Sequence, residues 1–240
     1  MKYTLIIPAW NEAEYLPATL ADAQAAMSEC SYEGLLVVVD NNSTDDTANI
    51  AREAGAVVVF EAVNQIARAR NAGAAQATTE ALVFLDADTQ LNASLLQAGL
   101  DAIATGEVVA GGVIIELDQP PNRAARVVLK LWNGLSQRLK LAAGSFIYCR
   151  RDAFDAIGGF DTKVYAGEEL LLTRRLKRWG RKYGYRFEVI TDQSIRTSAR
   201  KLEWYSTTQL VKQFFMVLIP GAMYSKRLCR TWYDDSTDRR

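Results

Sequence analysis

An α/β fold, with a mostly parallel sheet and helices on both of its faces, is what this sequence predicts. Short apolar runs alternate with amphipathic helical patterns through the first half of the chain. The runs are apolar at consecutive positions, so both faces of each strand need a cover, and crossover helices supply it. Acids and amides gather immediately after each run, where the ligands of such sheets bind.

The elements follow in order. Residues 4–7 read as a strand, followed by a helical pattern through Leu16, Leu20 and Ala23. A strand over 35–39 leads to a helix over 44–54, one over 57–60 to a helix over 66–77, and one over 81–85 to a helix over 93–104. The second half is less regular. It reads as a strand over 108–117, a break at 118–121 and a helix over 123–141 with Val127, Val128, Leu131, Trp132 and Leu135 on its apolar side. A strand over 144–149, a turn at Gly158-Gly159-Phe160-Asp161 and a helix over 168–179 come next, the last with basic residues late in it, where they suit the helix dipole. These boundaries give a core domain over residues 1–200 and a basic helical extension over 201–240.

Composition is that of an ordinary globular chain, with 49% hydrophobic and 23% charged residues in 240. Lys+Arg and Asp+Glu both number 28, which gives no reason to expect nucleic acid as a partner. The charge is uneven: residues 1–195 hold 19 basic and 24 acidic side chains, residues 196–240 hold 9 and 4. Cys30, Cys149 and Cys229 lie far apart and are odd in number, which suggests neither a disulfide framework nor a zinc site and fits a reducing cytoplasm. The run at 3–8 is too short for a signal peptide, and no stretch approaches the ~20 apolar residues of a bilayer span. Near the C-terminus, Leu210, Val211, Phe214, Phe215, Val217 and Leu218 lie among Lys201, Lys212, Lys226, Arg227 and Arg230. Two readings stay open: a helix packed on the core or on a second copy in a homodimer, or a peripheral helix on anionic lipid.

The polar residues after each strand are the candidates for chemistry. Asp86-Ala87-Asp88 closes an apolar strand, and two carboxylates at such an end suit a hard divalent cation shared with substrate phosphates. In the run 40–47, Ser43, Thr44 or Asp45 would cap the next helix, leaving Asp40 without a capping duty and placed to meet a nucleobase. Arg68 and Arg70 sit among alanines near a helix start, a setting that suits bidentate contact with a diphosphate. Glu168 and Glu169 open a helix, so one can pack or cap while the other faces a cleft. A general base has to be such a carboxylate, because the chain contains no histidine.

Taken together, Ile6-Ile7-Pro8-Ala9-Trp10-Asn11-Glu12, the 40–47 run, the 68–73 run, Asp86-Ala87-Asp88, Gly158-Gly159-Phe160-Asp161 and Gly167-Glu168-Glu169 with Arg175-Leu176 resemble the successive motifs of the family 2 glycosyltransferases. The resemblance covers roughly residues 3–200. It implies a GT-A fold and an inverting, metal-dependent transfer of one sugar from a nucleoside-diphosphate sugar, with a uridine donor first in line, in cell-envelope polysaccharide synthesis. Carried over by position, Pro8, Ala9, Glu12 and Asp40 would line the nucleoside pocket, and Asp86 would contact the ribose and the metal. Asp88 would hold Mn²⁺ or Mg²⁺, Arg68 and Arg70 would face the diphosphate, and Glu169 would be the base. The donor half would span about 1–90 and the acceptor half about 91–200, the acceptor being a carbohydrate or a lipid-linked group, through a hydroxyl or a lipid phosphate. Two positions depart from the family pattern: Glu-Asp is usual where this chain has Glu168-Glu169, and the late histidine that some relatives give to the metal does not exist here. A nucleotidyltransferase or a dinucleotide oxidoreductase would need glycines after the first strand, and residues 9–12 have none. The competing reading from another class is a catalytically silent nucleotide-sugar-binding scaffold.

Overall fold

A computed structural model of the chain describes residues 1–119, 123–199, 222–225 and 229. In chain order these form β1 (Lys2–Ala9), α1 (Leu16–Glu29), β2 (Glu33–Asp40), α2 (Thr47–Glu53), β3 (Val57–Phe60), α3 (Ile66–Gln76), β4 (Ala81–Leu85), β5 (Thr89–Gln90) and α4 (Ala93–Ala104). There follow β6 (Val108–Leu117), α5 (Arg123–Leu139), β7 (Phe146–Arg150), α6 (Arg151–Ala156), α7 (Glu168–Tyr183), β8 (Arg186–Thr197) and a 3-10 turn at Ala222–Tyr224. The eight strands make one sheet in the order β3-β2-β1-β4-β7-β6-β8-β5.

The consecutive apolar positions of each strand divide between two cores. Leu5, Ile7, Val38, Val83 and Leu85 pack against Leu16 and Leu20 of α1 and Leu95, Leu96 and Leu100 of α4. Ile6, Val37, Val39, Leu82 and Phe84 face the other way, onto alanines of α3 and onto Leu172 and Leu176 of α7. The period of two along a strand sends alternate residues to opposite faces, and helices cover both.

The four βα units stand close to their expected bounds, and the second half differs more. The strand expected at 144–149 is β7, which pairs antiparallel with both β4 and β6. The sheet is therefore parallel through β3-β2-β1-β4 and again at β6-β8, and antiparallel elsewhere. Three elements were not anticipated: β5, α6 and β8. In β8 the pairing with β6 jumps from Val113↔Ile190 to Ile114↔Ser194, so its apolar alternation breaks in mid-strand. β3 is an edge strand whose Val57 and Phe60 are exposed, against the expectation of burial on both faces. In α5, Val127, Leu131 and Leu135 of the expected apolar side are exposed as well. The C-terminal helix expected beyond 201 lies outside the described residues, apart from the 3-10 turn, whose Met223 carbonyl accepts from the Tyr165 N–H (2.7 Å). Cys30, Cys149 and Cys229 form no disulfide.

One close approach positions the helix that carries Arg70. A Cβ on Gly73 would meet Ile6 Cγ2 at 2.4 Å and Val39 Cγ2 at 2.9 Å, so α3 can lie flat on β1 and β2 only without a side chain there. Gly73→Val is expected to lower the urea-unfolding stability by about 3 kcal/mol through overpacking. Gly134→Ala, in α5 with nothing within 4 Å of the added carbon, should raise it by up to about 1 kcal/mol.

Candidate active site

The loops that follow β1 and β2 are laced together by side chains. The Asn11 N–H donates to Ser43 Oγ (3.1 Å), and Asn11 Oδ1 accepts from the Thr44 N–H (2.8 Å). The Glu12 N–H donates to Thr47 Oγ1 (2.8 Å) and the Ala13 N–H to Asp45 Oδ2 (3.1 Å). Asn11 and Asn42 hold positive φ of 52° and 66°, a region in which Asn is enriched. This lacing corrects the capping expectation. The N-cap of α2 is Asp46, whose side chain makes no cap bond, while Ser43, Asp45 and Thr47 serve the neighbouring loop. Asp45 alone still accepts from an open helix donor, the Thr47 N–H (3.0 Å). Asp40 does have a local duty after all: buried at the end of β2, it accepts from the Ser43 N–H (2.9 Å).

Pro8 and Ala9 are buried beside Val39 and Asp40 in the β1–β2 register, so the residues expected to line one pocket do adjoin. Two amides that the sequence reading passed over extend this frame. Asn41 donates to the carbonyls of Glu61 (3.1 Å) and Val63 (2.6 Å) and accepts from the Gln65 N–H (2.9 Å). Gln65 in turn donates to the carbonyls of Thr162 (2.9 Å) and Val164 (2.8 Å), which ties the start of α3 to the loop before α7. Asn71 holds the Gly158–Asp161 turn by accepting from the Phe160 N–H (2.9 Å) and donating to its carbonyl (2.9 Å). For Gln65 and Asn71 the signal was available: they are polar amides among small apolar residues just before and within α3.

Arg70 is the centre of the site. It is 2% exposed, and its fork spans two elements: Nη1 to Glu168 Oε1 at 2.6 Å and Nη2 to Asp86 Oδ1 at 2.8 Å. Nη2 also donates to the Gly144 carbonyl (3.2 Å), and the guanidinium lies 5.2 Å from the centre of the Phe160 ring. Phe160 belongs to an aromatic cluster with Phe84 and Phe154, at centroid distances of 5.1 and 5.8 Å. Burial works against the charge on Arg70, but Asp86, Glu168 and Glu169 outweigh it and keep the guanidinium protonated. The fork that the sequence placed on a diphosphate is thus engaged by carboxylates, while Arg68 is exposed two residues away, on a different side of α3.

The backbone of Asp86-Ala87-Asp88 is fixed from several sides. Asp86 N–H donates to the Ser145 carbonyl (3.4 Å), the Ala87 carbonyl accepts from Thr19 Oγ1 (2.8 Å), and the Asp88 carbonyl accepts from the Ser198 N–H (3.1 Å). Both carboxylates remain partly exposed, Asp88 with Thr197 Oγ1 at 3.4 Å. Their hard oxygen donors suit Mg²⁺ or Mn²⁺, which use one or two carboxylates and complete their shell with phosphate and water. Among the described residues no group of three or more acids, cysteines or histidines gathers into a larger metal cage.

Gly167, at φ 70°, starts α7 and sends Glu168 inward to Arg70. Glu169 is partly exposed and keeps its carboxyl beside that of Glu168. Desolvation, then the neighbouring Glu168 carboxylate, push the Glu169 carboxyl up to about 8, with Arg70 opposing. Glu168 thus packs onto Arg70 while Glu169 stays half-buried, and the two remain electrostatically joined. Arg70→Met should cost about 3–5 kcal/mol in urea unfolding, because it strands Glu168 without its cation. Adding Glu168→Leu should restore most of that loss, since the pair is then replaced by apolar packing.

Comparison with known proteins agrees with this geometry. Residues 4–158 match the family model described as glycosyl transferase family 2. An uncharacterised glycosyltransferase of Mycobacterium tuberculosis is 44% identical over 90 residues, which are 38% of this chain and 38% of the relative. The glycosyltransferase AglE of Haloferax volcanii is 27% identical over 201 residues, covering 78% of this chain and 65% of the relative. This chain therefore spans less than two thirds of the length of either relative. The mannosyltransferase PcManGT of Pyrobaculum calidifontis, solved with GDP-Man and Mn²⁺, superposes with a TM-score of 0.65 at 22% identity over 96% of this chain and 68% of that one. The fold is that of the GT-A glycosyltransferases. With a family match over more than half of its length and the matching motifs gathered around one buried arginine, the chain belongs to glycosyl transferase family 2.

Proposed function

We propose that this chain is an inverting glycosyltransferase that moves one sugar from a nucleoside-diphosphate sugar, first of all a UDP-sugar, to an acceptor hydroxyl or lipid phosphate. The observation that carries this reading is the Arg70 clamp. It joins the strand end bearing Asp86 and Asp88 to the helix start bearing Glu169, so a pair of oxygen donors and a proton acceptor share one frame.

In this reading residues 1–90 hold the donor and 91–200 present the acceptor. The nucleoside lies over Pro8, Ala9, Glu12 and Asp40, whose loops are tied together by the Asn11, Ser43 and Thr47 bonds. Asp86 and Asp88 would hold Mn²⁺ or Mg²⁺, which when bound supplies positive charge against the departing diphosphate. Glu169 takes the acceptor proton as its oxygen attacks the anomeric carbon, and the diphosphate leaves from the opposite face. One displacement inverts that centre, and no sugar–enzyme bond forms. Arg70 acts through Asp86 and Glu168 rather than as a direct ligand, because it is 2% exposed and both of its Nη atoms bond those carboxylates. Arg68, exposed near the same helix start, is a further cation offered to the donor's phosphates in this reading.

The proton affinity of Glu169 gives a pH dependence. A carboxyl raised to about 8 is mostly protonated at neutral pH in the free protein, so the base form gathers as pH rises through that value. The acid limb of kcat/KM should therefore titrate well above the ordinary carboxylate value of 4.5, toward 8. A limb below 5 would assign the base elsewhere. Folding has the matching sign: the folded state keeps a proton that the unfolded chain has lost, so this group's contribution to stability falls as pH rises from 4.5 to about 8.

Donor binding is tested by thermal shift against UDP-, GDP- and dTDP-sugars with and without Mn²⁺. One nucleotide should raise the midpoint in a manganese-dependent way, and Asp88→Ala should remove that shift. Glu169→Gln should keep the shift and lose about 10²–10⁴ of the turnover rate. Unchanged turnover in Glu169→Gln would sink the catalytic reading and favour a silent binding protein.

A further inference from the structure

Helix α5 buries the wrong residues for a helix that serves only the core. Its inner side is polar at two anchor points. Asn133 donates to the Ile115 carbonyl (2.8 Å) and accepts from the Ile115 N–H (3.1 Å), and Ser136 Oγ donates to the Leu141 carbonyl (2.7 Å). The two Asn133 bonds, made to β6, fix the rotation of the helix. They leave Val127, Leu131, Leu135 and Leu139 facing out, at 56%, 61%, 37% and 48% exposure. Spaced by four, these residues form one stripe about 18 Å long.

We propose that this outer face of α5 docks on an anionic lipid surface. Charge complementarity selects that occupant. Exposed Lys130 and Arg138 run along one edge of the stripe, and not one Asp or Glu occurs between Asp118 and Asp152. At the C-terminal end Lys177 Nζ donates to the Leu139 carbonyl (2.6 Å), with Lys140 and Arg181 close enough to act on it. Partial burial, then Arg181 and Lys140, lower the proton affinity of Lys177, the signature of cations crowded together. Glu188, which lines the same hollow as Lys140, is taken by Arg186. A second copy meeting this face across a twofold axis would bring the same cations against each other in a drying interface. A bilayer of anionic lipid takes the leucines into its acyl boundary and the cations at its headgroups. No helix among the described residues is long and apolar enough to cross the membrane, so the contact is one of lying on it.

The placement has a consequence for the site. The segment that leaves α5 supplies the Gly144 carbonyl to Arg70 and the Ser145 carbonyl to the Asp86 N–H, so the docking face is one short loop from the catalytic cluster. The docking itself does not depend on the transferase reading.

Flotation of the full chain with vesicles tests it. Vesicles of phosphatidylcholine with phosphatidylglycerol should carry the protein up, phosphatidylcholine alone should not, and rising salt should release it. Leu131→Gln with Leu135→Gln should cut the bound fraction at least about tenfold, with the melting temperature and the donor-induced thermal shift unchanged. Lys130→Glu with Lys140→Glu, which leaves the stripe intact, should also lose binding to the anionic vesicles. Equal binding by the leucine variant and the parent would overturn the proposal, as would no binding to either vesicle. Light scattering that finds a dimer in the parent and a monomer in the leucine variant, without vesicle binding, would assign the face to a second copy instead.

Discussion

A single buried guanidinium sets the constraints on this site. Arg70 has lost its water, and it stays charged because two carboxylates from distant parts of the chain meet its fork. Neither carboxylate can be moved without losing its arm of the fork, and the cation cannot be removed without stranding Glu168. The end of β4 and the start of α7, 16 and 98 residues from Arg70 in sequence, are thereby held to one geometry. The charge count then sets the chemistry. Asp86 and Glu168 already exceed the one cation by a unit, so a third acid beside them finds no compensation. Glu169 holds its proton for that reason as well as for its burial.

Around this ionic centre the frame is built from amides and hydroxyls rather than further charges. Asn11, Asn41, Gln65 and Asn71 each bond backbone groups of another loop. Loops at the ends of parallel strands carry backbone donors and acceptors that no ladder pairs, and a side-chain amide offers both kinds at once. Such bonds fix the loops without adding charge, which leaves the electrostatics of the cleft to the carboxylates and to what binds them.

The first half of the fold was legible because each βα unit writes its own local pattern, and β3, β4, α4 and β6 fall on their expected residues. The antiparallel course of β7 was not, since direction within a sheet leaves no trace in a five-residue apolar run. β8 escaped because its register jump interrupts the alternation that marks a strand. At the site, the ordered motifs singled out Asp40, Arg70, Asp86 and Glu168 with Glu169, and the structure gathers the last four around one point. What the residues could not tell was who pairs with whom. Arg70 reads from sequence as a phosphate contact because guanidinium suits phosphate and carboxylate alike, and only the fold brings Glu168 to it. α5 misled in the same way: its periodicity shows an apolar face but not which side the sheet takes, and Asn133 decides that.

The charge balance also orders the proposed reaction. A diphosphate entering a cluster that already carries an excess of carboxylate meets repulsion and raises the proton affinity of Glu169 still further. A divalent cation arriving with it at Asp88 cancels that added charge, so donor and cation favour one another at this site. Glu169 is then spared the extra repulsion that the diphosphate alone would bring, and the same Arg70 that fixes the geometry keeps the excess of carboxylate around it small.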